Sequence, residues 1–203
     1  RQMCIRDRQM AAEHSPQEVE QLAHEIGTSL KAHGINVDFA PVLDVDGNGL
    51  EVVGDRSFST DPVQAGEYGA AFARGLDSAG VKAVFKHFPG HGRASGDTHL
   101  AEAVTPPLEE LERHEFIPFK TALPQAPNTA LMMGHLAVPG LGDGQTPASI
   151  LPEAYGLARE TLQYDGPIYT DDIGGMKAIA DSLPLADAVV TSLNGGADMP
   201  LWL

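Results

Sequence analysis

Apolar positions along the chain fall into two alternating rhythms. Leu22, Ile26 and Leu30 recur four residues apart, the spacing of one helix face. Ser15-Pro16-Gln17-Glu18 supplies a cap, a proline at the first helical position and an acid in the first turn. Gly34 supplies the stop. The spacing thus predicts a helix from Pro16 to Gly34. Residues 35–40 read as a strand closed by Pro41. Asp61-Pro62 opens a second helix that runs to about Ser78 and is stopped by Gly80, and residues 81–85 form a second strand. Residues 108–123 read as helical, with Pro118 breaking or kinking the run. A third strand is expected over 129–133, a helix over 152–162 and a fourth strand over 167–170. Helices at 176–180 and 186–193 follow, the latter stopped by Asn194-Gly195-Gly196, and residues 197–201 make a fifth strand.

Strands that alternate with helices pair in parallel, in a β/α barrel or an open doubly wound sheet. Polar residues stand just after several of these strands: Asp44, Lys86 with His87, His135 and Asp171. Candidate groups behind four different strands favour the barrel, which presents all its strand ends around one rim. An open sheet concentrates its site at one switch point.

Composition narrows the picture modestly. A chain of 203 residues with 42% hydrophobic and 20% charged residues can build one sizeable core. The net charge of −15 makes nucleic acid a poor partner. Cys4 is the single cysteine, so no intramolecular disulfide forms. No apolar run reaches the roughly 18 residues of a membrane span, and no signal peptide is visible. Residues 1–8 are charged and aperiodic and are expected to be a non-native leader, with the domain proper over 9–203. Localisation stays open between the cytoplasm and an exported lipoprotein, and a monomer is expected.

The chemistry gathers in Lys86-His87-Phe88-Pro89-Gly90-His91-Gly92, followed by Asp97-Thr98-His99. Lys86 offers a point-charge donor and His87 a donor or acceptor. Pro89, Gly90 and Gly92 let backbone turn close to a ligand. A polar surface loop is the plainer alternative, though such loops seldom hold three histidines. Asp97 beside His99 can make that imidazole a general acid near neutral pH; a capping Asp with an unrelated His is the competing view. Asp171 after the fourth strand can act as a nucleophile or electrostatic stabiliser, or Asp172 can be the working residue. Arg56, in Gly54-Asp55-Arg56-Ser57-Phe58, can clamp a hydroxyl, or merely pair with Asp55 on the surface. His135 can line the pocket or serve as a structural histidine, and Met132 and Met133 belong to the core. The Asp171-Asp172 pair invites a divalent metal, but His87, His91 and His99 lack zinc spacing and no thiolate is near. Neither metal nor cofactor is expected.

These residues resemble the signature of glycoside hydrolase family 3, in its β-N-acetylhexosaminidase (NagZ-type) branch. There the motif runs Lys-His-Phe-Pro-Gly-His-Gly, four variable residues, then Asp-Ser/Thr-His, and this chain fits without a gap. Residues 39–45 resemble the family's third-strand region, 54–58 its Gly-x-Arg-Ser-Phe loop and 169–173 its nucleophile segment. The ending at 197–202 is most similar to actinobacterial members. The resemblance implies an incomplete TIM-type (β/α)8 barrel of roughly strands 3 to 8. It also implies retaining exo-hydrolysis of terminal β-linked N-acetylglucosamine from peptidoglycan-derived muropeptides. By position, Asp171 is implied as nucleophile, His99 as general acid/base with Asp97 as its partner, and Arg56, Lys86 and His87 as substrate-binding residues. A histidine acid departs from the usual two-carboxylate scheme.

The family's Asp-Gln-Glu-Gly-Gly-x-Val-x-Arg segment, expected ahead of the third strand, is absent. The 203 residues alone are therefore expected to be inactive or poorly folded. A β-glucosidase or β-xylosidase of the same family is the runner-up, disfavoured by Asp97 and His99. A catalytically silent barrel-containing lipoprotein is the alternative outside enzymes.

Overall fold

The structure is a computed structural model that describes residues 7–45, 53–96, 103–180 and 183–202. Its strands are β1 (Val37–Asp38), β2 (Lys82–Phe88), β3 (Ala103–Val104), β4 (Ala130–Met133), β5 (Leu136–Ala137), β6 (Ile168–Asp172) and β7 (Met199–Leu201). Five of them form one sheet in the order β1-β2-β4-β6-β7, and β3 pairs with β5 in a separate two-stranded sheet. Every strand-to-strand pairing among the described residues is parallel, and Val104 of β3 also makes an isolated antiparallel bridge to Ser95. Strand neighbours in the large sheet follow chain order, as in a β/α barrel. The sheet curls, and one contact demonstrates it. Phe39, next to β1, meets Tyr169 of β6 edge-on at 5.4 Å between ring centroids. Three strand spacings in a flat sheet would hold their backbones roughly 14 Å apart.

Both faces of the sheet are buried, and successive residues serve opposite sides. Val84, Ala130 and Met132 pack inward with Phe39, Tyr169 and Leu201. Ala83, Phe85, Leu131 and Met133 pack outward into the main core under the helices.

The helices are α1 (Asp7–Glu13), α2 (Pro16–Ala32), α3 (Pro62–Ser78), α4 (Leu108–Arg113), α5 (Phe116–Ala122), α6 (Pro152–Gly156), α7 (Lys177–Ala180) and α8 (Leu185–Gly195). Ser15 and Glu18 make the expected cap reciprocal: Glu18 N–H donates to Ser15 Oγ while Glu18 accepts from Ser15 N–H. Helix α1 begins at Asp7, inside the segment expected to be a leader. Its Met10 is buried in the main core, and Arg8 donates to Gly54 O.

Several expectations need correction. The expected strand over 35–40 is only two residues long as β1, although Val42 makes a further bridge to Lys86. The expected helix over 108–123 breaks at His114 and Glu115, ahead of Pro118. Pro118 sits in the first turn of α5, where its missing N–H costs nothing. Helix α6 continues into a π-helical turn at Leu157–Thr161. Most consequential for function, β2 and β6 run past their expected ends. Lys86 and His87 lie within β2, and Asp171 and Asp172 within β6, because pairing continues through Phe88↔Met133 and Asp172↔Leu201. Both ladders slip register there, between Phe85 and Phe88 and between Tyr169 and Asp172. Such irregularities re-aim side chains at strand ends.

Candidate active site

The C-terminal ends of β1, β2, β4 and β6 converge on one rim, and Asp44 lies at its base. Leu43 N–H donates to Lys86 O at 2.7 Å, which draws the chain after β1 against the end of β2. Asp44 then enters the interior, its side chain fully buried. The segment from His87 to His91 wraps around its carboxylate. His87 N–H lies 3.2 Å from both oxygens, His91 N–H donates to Oδ1 at 2.7 Å, and His87 Nδ1 lies 2.7 Å from Oδ2. Burial acts to raise the Asp44 pKa, but His87 and His91 outweigh it and hold the carboxyl below its ordinary range. An ionised carboxylate only accepts, so His87 Nδ1 carries a proton.

The other nitrogen of that ring, Nε2, faces Asp171 Oδ2 at 3.6 Å. Asp171 is largely buried, its side chain 13% exposed. Its Oδ1 accepts from Asp172 N–H at 2.9 Å. Burial again pushes upward, yet His87, His135, the Asp172 amide and Lys86 together bring Asp171 below the ordinary carboxylate range. Asp172 has a different occupation: it accepts from Gly174 N–H at 3.0 Å and shapes the turn after β6. Of the two adjacent acids, Asp171 is the one that faces the histidine.

Lys86 is half-buried beside Asp171 and Arg56. Burial lowers its pKa, Asp171 opposes that, and Arg56 adds to it. Arg56 itself sits in a short 3-10 turn, Gly54–Arg56, on the exposed side of the rim. Asp97 and His99 lie outside the described residues. Four expected residues, Arg56, Lys86, His87 and Asp171, therefore stand together.

Two histidines left open by the sequence now have surroundings. His135 is buried, with Nε2 at 3.0 Å from Asp172 O and Nδ1 at 2.6 Å from Ser149 Oγ. Burial lowers its pKa, so the neutral ring donates from Nε2 to the carbonyl and braces the strand that holds Asp171. His91 is 3% exposed, packs edge-on against His87 at 5.7 Å, and has no hydrogen bond to either ring nitrogen among the described residues. A second brace lies just beyond it: Arg93 grips the buried Glu115 with two hydrogen bonds of 2.5 and 2.9 Å.

Asp44 was recognised from sequence only as a polar residue near a strand end. Its spacing from the Lys86–Gly92 motif, more than 40 residues, gave no sign that it would receive three donors from that segment. Among the described residues, no three His, Cys, Asp or Glu side chains converge as a metal centre requires. No described helix is long and apolar enough to cross a membrane. Chemically, the rim offers an anionic carboxylate, positioned and flanked by donors, at the mouth of a curled sheet. That is a nucleophile's setting.

Residues 5–203 match the Glycosyl hydrolase family 3 N terminal domain. The chain belongs to glycoside hydrolase family 3. Within this family it is 45% identical over 202 residues to the beta-hexosaminidase LpqI of Mycobacterium tuberculosis, covering 97% of this chain and 52% of that protein. The solved M. tuberculosis LpqI structure superposes with a TM-score of 0.91 at 44% identity, over 97% of this chain and 58% of that one. A family 3 β-N-acetylglucosaminidase from a Paenibacillus strain gives a TM-score of 0.91 at 35% identity, over 97% and 38%. The chain thus spans about half the length of the curated relatives it matches. Its curled parallel sheet is the incomplete TIM-type barrel of family 3 N-terminal domains.

Proposed function

We propose that this chain forms the catalytic part of a retaining exo-β-N-acetylglucosaminidase that acts on terminal β-linked N-acetylglucosamine of peptidoglycan-derived fragments. The observation that carries the proposal is Asp171: a largely buried anionic carboxylate at a barrel-strand end, 3.6 Å from His87 Nε2. Relatives named beta-hexosaminidase and β-N-acetylglucosaminidase support the choice of sugar.

In the first step an Asp171 oxygen bonds to the anomeric carbon while the bond from that carbon to the leaving oxygen breaks. His99, partnered by Asp97, gives its proton to the leaving oxygen. In the second step His99 takes a proton from water, the water oxygen bonds to the anomeric carbon, and the bond to Asp171 breaks. Two displacements at one carbon return the β configuration. Lys86 and Arg56 hold the sugar hydroxyls through charge-assisted hydrogen bonds, and His87 shares its Nε2, 3.6 Å from Asp171, between that carboxylate and a hydroxyl.

The test is turnover of a chromogenic N-acetyl-β-glucosaminide by the full-length protein. The N-acetyl sugar is cleaved and the plain β-glucoside is not; equal cleavage of both would refute the sugar assignment. Asp171→Asn lowers turnover by on the order of 10³ or more, and retained activity would remove Asp171 from the nucleophile's role.

A further inference from the structure

The Asp44 side chain is fully buried at the base of the rim, yet it is heavily hydrogen-bonded. It receives His87 N–H, His91 N–H and His87 Nδ1–H, all at 2.7 to 3.2 Å and with no exposure of its side chain. A carboxylate buried to this depth is costly unless its partners repay the desolvation. Capping a loop would use the two backbone donors. It would not require a third bond, to an imidazole whose far side faces the proposed nucleophile.

The line of atoms is continuous: Asp44 Oδ2, His87 Nδ1, His87 Nε2, Asp171 Oδ2, with separations of 2.7 Å and 3.6 Å across the two gaps. With Nδ1 committed to Asp44, a lone pair on Nε2 would oppose the Asp171 carboxylate, whereas an N–H there attracts it. We propose that Asp44 is a positioning residue for the reaction at Asp171: by holding His87 Nδ1–H, it turns the ring so that Nε2–H faces Asp171 and keeps that carboxylate anionic and aimed.

This rests on Asp171 being the nucleophile, as proposed above. The groups that bear on the relay are few and can be separated. Asp44 meets His87 and His91 and also bears on Lys86. Asp171 meets His87 and Lys86 from β2, His135 from beyond β4, and the Asp172 amide of its own strand. His135 binds Asp172 O and Ser149, so it braces β6 without contact to Asp44.

The experiment is a carboxyl and imidazole NMR titration of the full-length protein, which needs no turnover. In the unaltered protein, the proposal requires an N–H at both Nδ1 and Nε2 of His87, read from the imidazole nitrogen shifts; a bare nitrogen at either position would overturn it without any variant. Asp44→Asn keeps the shape but replaces one acceptor by an amide, and should move the Asp171 titration midpoint up by about one pH unit or more. His87→Gln should produce the same upward movement, and adding Asp44→Asn to it should move the midpoint no further. A midpoint that stays in place in the folded Asp44→Asn protein, or full additivity of the two substitutions, would overturn the relay. These outcomes are independent of the proposed hydrolysis. A full-length parent without turnover, together with a shifted midpoint in Asp44→Asn, would refute the function and keep the relay; an active parent with an unshifted midpoint in the variant would do the reverse.

Discussion

Charge at the rim is balanced residue by residue. Asp44 and Asp171 are held below the ordinary carboxylate range despite burial, because His87 and its neighbours favour the anion. Asp7 behaves oppositely: burial pushes its carboxyl up to about 7, only partly offset by Arg56 and Lys86. The sign follows from linkage. A carboxyl with a raised folded pKa binds more protons folded than unfolded, so it weakens the fold as pH rises from about 4 to 7. Asp7→Asn should therefore raise the unfolding midpoint at pH 7.5, with little change near pH 4, when thermal unfolding is followed at both. Equal midpoints for variant and parent at the two pH values would show that Asp7 is not held in a costly state. At this scale the sequence was legible where residues cluster along the chain. Lys86, His87 and Asp171 announced themselves by type and position. Asp44 did not, since its partners are hydrogen-bond donors from a segment distant in sequence.

At the scale of elements, local chemistry forecast starts and stops well. The caps at Ser15 and Asp61 and the positive-φ glycines Gly34 and Gly80 bound α2 and α3 where expected. Packing was less legible. The apolar row Leu22, Ile26 and Leu30 is only partly buried, and the fully covered stripe of α2 is Val19, Ala23 and Gly27. Small residues occupy the contact because α3 approaches too closely for larger ones. A Cβ on Gly75 would stand 2.3 Å from Glu20 O and 2.9 Å from His24 N, both backbone atoms that cannot swing aside. Gly75→Ala should separate α2 from α3 and cost about 1–3 kcal/mol despite the better helix propensity of alanine. A urea unfolding curve checks this, and a midpoint at or above that of the parent would refute the close approach. Strand ends were misjudged for a related reason. A polar side chain reads locally as loop, whereas the parallel ladder carries β2 through Lys86 and His87 and β6 through Asp171 and Asp172.

For the whole molecule, alternation of strand and helix sufficed to predict a parallel sheet, and polar groups after several strands favoured a barrel rim. The curled sheet agrees, with Phe39 touching Tyr169 across the interior and His87 Nε2 of β2 lying 3.6 Å from a carboxylate oxygen on β6. What periodicity could not supply was the pairing of Asp44 with a segment more than 40 residues away, since only the parallel pairing of β1 with β2, carried on by the Val42–Lys86 bridge, brings them together. On the proposed function, Asp171 forms the covalent bond to sugar. Its most direct test is mechanism-based trapping: the full-length protein is incubated with a fluorinated N-acetylglucosaminyl donor, digested, and the modified peptide sequenced by mass spectrometry. One sugar adduct on Asp171 is expected. An adduct on Asp172 or elsewhere, or continued turnover with no adduct, would contradict it.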